Sequence, residues 1–160
     1  MKKMIIILLF IFSPLFFFAQ ENETVSEEIV SFAEIDEVPI FPGCEKLEKP
    51  LQKVCLQKEI QKHIARKFQS DLVYNLGLDP GKKRIYVMFK IDKEGYVVDV
   101  KSKGPHKALE REAIDVVKLL PQMIPGKHKG KNVNVKYTLP ITLIVDEPEK
   151  KEDNKDSNGN

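Results

Sequence analysis

The strongest constraint on the fold is a long alternating segment near the C-terminus. Over the fourteen residues from Asn132 to Val145, every odd position is apolar and most even positions are polar. A period of two predicts a β-strand, and this one exceeds the usual length of about 5–6 residues. Pro140 interrupts the segment without changing the alternation, and a proline within a sheet is tolerated at an edge or a bulge. We therefore predict one long strand at a sheet edge.

A long edge strand exposes unpaired backbone N–H and C=O groups, and this has two interpretations. Lys136, Pro140 and the charged C-terminal tail can block unwanted pairing. Alternatively, the edge can add an extended peptide from a partner as a further strand. A second copy of the chain could also pair there, so a homodimer is possible.

The remaining segments predict two helices and a hairpin ahead of this strand. A stripe at four-residue spacing, from Leu56 to Phe68, predicts the first helix. Alternation over Ile85–Ile91 and again over Tyr96–Val100, around a turn at Gly95, predicts the hairpin. The second helix is expected from about His106 to Leu120.

The N-terminus is typical of an exported protein. Lys2 and Lys3 precede a mainly apolar run that ends at Ala19, so residues 1–20 are predicted as a signal peptide. Because this run is shorter than the ~20 residues that span a bilayer, a retained inner-membrane anchor is the alternative. Residues 21–33 are interpreted as an acidic flexible lead, 34–146 as the folded domain and 147–160 as a disordered charged tail.

The formal net charge of +2 conceals a strongly basic centre. Lys46–Val145 carries +11, between an acidic segment of −8 and a tail of −3. We do not predict nucleic-acid binding, because the positive charges are spread over several elements without a recognised motif. Electrostatic attachment to the cell wall through the basic surface remains an alternative, and high salt should abolish it.

Cys44 and Cys55 are the only cysteines, and an even count in an exported chain predicts one disulfide. A reactive Cys44 beside His63 is the alternative, although no nucleophile motif surrounds that cysteine. We find no paired catalytic carboxylates, nucleophile elbow, metal-ligand spacing or phosphate loop in the sequence. We therefore predict a protein that is not an enzyme, with no catalytic residues, metal site or cofactor.

The order and spacing of these segments closely resemble the TonB C-terminal domain, in its form with a Cys pair. The resemblance covers about 112 residues, from Glu34 to Val145. The residues that carry it are Val38–Glu45, Cys55, Val87–Val97, His106, Leu109, Glu110, Glu112, Ala113, Leu120–Lys127, Gly130–Val133 and Tyr137–Ile141.

This resemblance implies an α+β fold of order α-β-β-α-β, with two helices and a three-stranded antiparallel sheet. It also implies a periplasmic domain that pairs its last strand with an extended peptide of an outer-membrane TonB-dependent receptor, or with another envelope protein. Membrane contact would then occur only through the partner or an uncleaved N-terminus. The peptide-binding residues implied are Asn132, Val133, Asn134, Val135, Lys136, Tyr137, Thr138 and Leu139.

The sequence departs from full-length TonB in one respect. No long Pro-rich spacer follows the apolar N-terminal run, and the 14 residues 21–34 reach at most about 50 Å when extended. A free periplasmic binding module is therefore favoured over a short anchored energy transducer. The mature N-terminus would separate these two forms.

Overall fold

The computed structural model describes residues 28–147. The predicted signal peptide, most of the acidic lead and nearly all of the tail lie outside these residues. The helices are α1 (Lys49–Lys67), a 3₁₀ helix (Ser70–Asn75) and α2 (Lys107–Lys118). The strands are β1 (Ile29–Ser31), β2 (Gly81–Ile91), β3 (Val97–Lys103), β4 (Lys127–His128), β5 (Lys131–Asn132) and β6 (Asn134–Val145).

The main sheet has four strands in the order β1-β6-β2-β3. Strand β6 pairs antiparallel with β2 along its whole length, from Val135 opposite Ile91 to Val145 opposite Gly81. The α+β class and the antiparallel β2, β3 and β6 agree with the prediction. The prediction of three strands was wrong, because β1 joins β6 as a parallel fourth strand.

Alternation along β6 places its odd-numbered side chains in the core. All six, from Val135 to Val145, are buried, whereas the even-numbered side chains from Lys136 onward are exposed. From Tyr137 to Val145 the buried side chains pack with β2 and with apolar residues of both helices, including Leu56, Ile60 and Leu109. Burial on one face fixes the register, since a slip of one residue would expose the whole set.

The predicted disulfide between Cys44 and Cys55 is present, with their Cα atoms 6.1 Å apart. Cys44 is fully buried, and Cys55 lies on α1. The bond therefore joins the segment before α1 to the helix itself. Because Cys44 is bonded, it is not the reactive thiol that we considered as an alternative.

The turn between β2 and β3 is held against the segment that follows α2. Gly95 donates its N–H to the carbonyl of Asp92 at 3.0 Å, and its own carbonyl accepts from the N–H of Met123 at 2.9 Å. Gly95 has a φ of +89°, in the region that favours glycine. The sheet and the connection after α2 are thus in direct backbone contact at this turn.

Glu110 links the end of β3 to α2. Its carboxylate accepts from the backbone N–H of Gly104 at 3.0 Å and from Lys107 Nζ at 2.6 Å, while the side chain itself is buried. The hydrogen bond from Lys107, followed by that from Gly104, lowers the pKa of Glu110 below its usual value of 4.5.

We expect Glu110→Gln to destabilise the protein at neutral pH and to lose this effect in acid. A carboxyl group whose pKa is lowered by folding contributes stability above its unfolded pKa, and the contribution is lost as pH falls through the folded pKa. Urea unfolding at pH 7 and at steps below pH 4 measures the difference. Asp115→Asn, an exposed carboxylate on the same helix, is the control. An effect of Glu110→Gln that is equal at both pH values would contradict the expectation.

Candidate strand-addition site

The backbone of β6 presents alternate residues to its two sides. The N–H of Asn134 donates to the carbonyl of Glu28, and the carbonyl of Lys136 accepts from the N–H of Phe32. These even-numbered residues thus direct their backbone groups away from β2. Backbone direction alternates along a strand, so Thr138, Pro140, Thr142 and Ile144 point the same way.

The first part of this side is covered by β1. Ile29, Val30 and Ser31 lie opposite Asn134, Val135 and Lys136 in a parallel register. The prediction of an edge along the whole strand was therefore wrong for these three residues of β6. Residues 28–33, which we predicted as part of a flexible lead, instead contain a strand, because Val30 packs on Val133 and Val135.

Within residues 28–147, no strand pairs with β6 beyond Lys136 on the side away from β2. We call the outward backbone groups from Thr138 to Ile144 the free edge. It offers the N–H groups of Thr138, Thr142 and Ile144 and the carbonyls of all four even-numbered residues. Pro140 lacks an N–H. Because its nitrogen faces away from β2, the proline removes no hydrogen bond between β2 and β6.

A groove of about 220 Å³ lies beside the free edge. One wall is residues 139–143 of β6, and the other includes Ile64, Ala65 and Phe68 at the C-terminal end of α1. We call it the α1–β6 groove. A strand added to the free edge would point every second side chain towards α1, and the groove has an apolar lining to receive them.

The structure distributes the eight sequence-predicted binding residues over three environments. Asn132 ends β5, and its side-chain amide donates to the carbonyl of Lys93. Val133 is buried and donates its N–H to Gly126, so neither residue belongs to the free edge. Asn134, Val135 and Lys136 pair with β1, whereas Tyr137, Thr138 and Leu139 extend to the start of the free edge.

Tyr137 marks the boundary between the covered and free parts of β6. Its ring lies 4.7 Å from that of Phe32, edge to face, and 5.2 Å from that of Phe89. Burial raises the pKa of the Tyr137 phenol. The buried ring is therefore an apolar anchor between the covered and the free parts of β6.

Sequence reasoning missed Pro140–Ile144 and the α1 wall of the groove. The alternation of β6 continues to Val145, and this signal alone could have extended the predicted site. The α1 wall carried no comparable signal, because Ile64 and Phe68 belong to the apolar stripe that any core-facing helix shows.

Among residues 28–147, no cluster of three or more His, Cys, Asp and Glu side chains is arranged to bind a metal. Over the same range, none of the helices combines the length and apolar character needed to cross a membrane.

One known family matches the part of the chain that contains most of the site. Residues 84–143 match the family described as the Gram-negative bacterial TonB protein C-terminal. The predicted resemblance is confirmed over these residues, which run from β2 to β6 and contain all but the last position of the free edge. TonB C-terminal domains are periplasmic protein-interaction domains.

The TonB C-terminal match does not include α1, β1 or the disulfide. These elements supply one wall of the α1–β6 groove and the strand that covers Asn134–Lys136. None of the curated proteins gives a significant match to the chain.

Proposed function

We propose that this protein is a periplasmic TonB-like module that adds an extended segment of an envelope protein to the free edge of β6. The partner class that fits is an outer-membrane TonB-dependent receptor, and the binding would support transport across the outer membrane. The observation that carries the proposal is a free edge beside an apolar groove, within the segment that matches the TonB C-terminal family.

The chemistry of the site favours an extended peptide over a folded surface. Unpaired N–H and C=O groups of a strand edge bind a second backbone irrespective of its sequence, and the groove beside them selects side chains. The groove wall from α1 is mainly apolar, so we expect the partner to place an apolar side chain there. Main-chain pairing accounts for affinity, and the α1–β6 groove accounts for specificity.

Filling the α1–β6 groove tests the proposal. Ala65→Trp puts a large side chain where the partner's side chain would lie, and we expect at least a 10-fold loss of binding, about 1.4 kcal/mol. Immobilised protein would be exposed to detergent-solubilised outer membranes of the source bacterium. The TonB-dependent receptors retained would then be quantified by mass spectrometry.

Arg66→Trp is the matched control, because it places the same side chain at an exposed neighbouring position outside the groove lining. Retention should persist in about 0.5 M salt if backbone pairing dominates, whereas charge-driven cell-wall attachment would be screened. Equal retention of receptors by the Ala65→Trp and Arg66→Trp proteins would refute the proposal.

We also propose that the module acts free in the periplasm after removal of residues 1–20. Sequencing of the mature N-terminus by mass spectrometry tests this step. A first residue near Gln20 or Glu21 supports the free module, whereas an intact Met1 supports the inner-membrane-anchored energy transducer.

A further inference from the structure

Strand β1 occupies the same side of β6 that the partner is proposed to use. It runs parallel to β6, with the Asn134 N–H donating to Glu28 at 3.3 Å and the Phe32 N–H donating to Lys136 at 3.2 Å. After Phe32 the chain turns away, because the N–H of Glu34 closes back onto the carbonyl of Ser31. Strand β1 therefore ends where the free edge begins.

The side chains of β1 alternate between the core and solvent. Val30 is 8% exposed and packs on Val133 and Val135, whereas Ile29 is 46% exposed. Phe32 packs against Tyr137, and the Lys53 ammonium lies 5.0 Å from the centre of the Phe32 ring. This segment thus binds β6 through its backbone, one aliphatic side chain and one aromatic side chain.

We propose that β1 is a built-in occupant of the partner's site, which the partner segment displaces. This inference rests on the proposed function. The partner segment would run parallel to β6, with an aliphatic side chain in the place of Val30 and an aromatic or large apolar side chain in the place of Phe32. The same segment then continues along the free edge from Thr138.

The displacement is favoured by the difference in length between the two strands. Strand β1 covers only Asn134–Lys136, whereas a partner segment that continues to Ile144 can also use the free edge. Occupation by β1 lowers the partner's apparent affinity in proportion to the fraction of molecules in which β1 is docked. Release of β1 should therefore strengthen binding without any change in the site itself.

A peptide that copies β1 tests this inference without a receptor. The probe is a fluorescent peptide of residues Glu28–Glu34, added to purified protein and followed by anisotropy. Val30→Asp in the protein buries a charge in place of an aliphatic group and should release β1. We expect this variant to bind the peptide at least 10-fold more tightly than the unmodified protein.

Ile29→Asp is the matched control, because it adds the same charge to the same strand at an exposed position. It should bind the peptide as the unmodified protein does, and a peptide with Asp in place of Val30 should not bind. Equal binding by all three proteins, or binding by none, would overturn the inference.

Hydrogen exchange shows whether Val30→Asp acts as intended. The Asn134 N–H should exchange faster, while the N–H groups between β2 and β6 stay protected. If Val30→Asp unfolds the protein, Phe32→Ala removes the second anchor of β1 and is expected to give the same gain. No gain from a folded Phe32→Ala protein would then overturn the inference.

Retention of receptors separates this inference from the proposed function. If Ala65→Trp abolishes retention and Val30→Asp leaves it unchanged, the strand-addition site stands and displacement of β1 is wrong. If retention is insensitive to Ala65→Trp, the proposed function fails whatever the peptide does. A rise in retention with Val30→Asp, together with peptide binding, supports both.

Discussion

Replacing Gly95 with alanine is expected to lower the free energy of unfolding by about 4 kcal/mol, from backbone strain at positive φ and forced displacement of packed atoms. A Cβ at Gly95 would lie 1.7 Å from the carbonyl oxygen of Met123. Since that oxygen belongs to the backbone, a side-chain rotation cannot relieve the overlap. The hydrogen bond from the Met123 N–H to the Gly95 carbonyl should weaken as the two segments separate.

Gly81→Ala provides the comparison that isolates this overlap. Gly81 has a φ of +106°, similar to the +89° of Gly95, but a Cβ there would meet nothing within 4 Å. Its substitution should cost only the strain of the backbone, about 1 kcal/mol. Urea unfolding of the two variants measures the difference directly. Equal losses of unfolding free energy in the two variants would show that the turn and Met123 can move apart without a loss of stability.

Removing the disulfide is expected to have the second largest effect on stability. Cys44 and Cys55 are 11 residues apart, and closing a loop of this length should contribute about 3 kcal/mol by restricting the unfolded chain. The double variant Cys44→Ala/Cys55→Ala should therefore unfold about 10 °C below the unmodified protein. Thermal unfolding followed by circular dichroism gives this shift.

Chemical reduction provides an internal control for the disulfide. A reductant should lower the midpoint of the unmodified protein towards that of the double variant, and it should leave the variant unchanged. A shift of less than about 2 °C in the double variant would mean that packing around Cys44 holds the segment without the bond.

The elements that the sequence predicted well are those with a local periodic signal. The alternation of β6, the hairpin around Gly95 and the two helices all follow from spacings within a single segment. The pairing of Cys44 with Cys55 needed only the count of cysteines. Each of these predictions depends on neighbouring residues rather than on the position of distant ones.

Strand β1 and the α1–β6 groove could not be predicted in the same way. Ile29–Ser31 is too short to show a period, and it adjoins an acidic stretch, so a flexible lead was the natural interpretation. Its partners on β6 lie more than 100 residues away. The groove depends on how α1 crosses β6, which is set by packing of the whole core rather than by either segment.

Pro140 limits what the free edge can recruit. The proline divides the available N–H donors into Thr138 on one side and Thr142 with Ile144 on the other. A partner carbonyl opposite Pro140 therefore finds no N–H and must bind water instead. A fibre of stacked copies needs a complete ladder of backbone hydrogen bonds, because a bond missing at Pro140 would be missing in every layer. A single short partner segment loses this hydrogen bond only once. The free edge can therefore bind one added strand but is poorly suited to fibre growth.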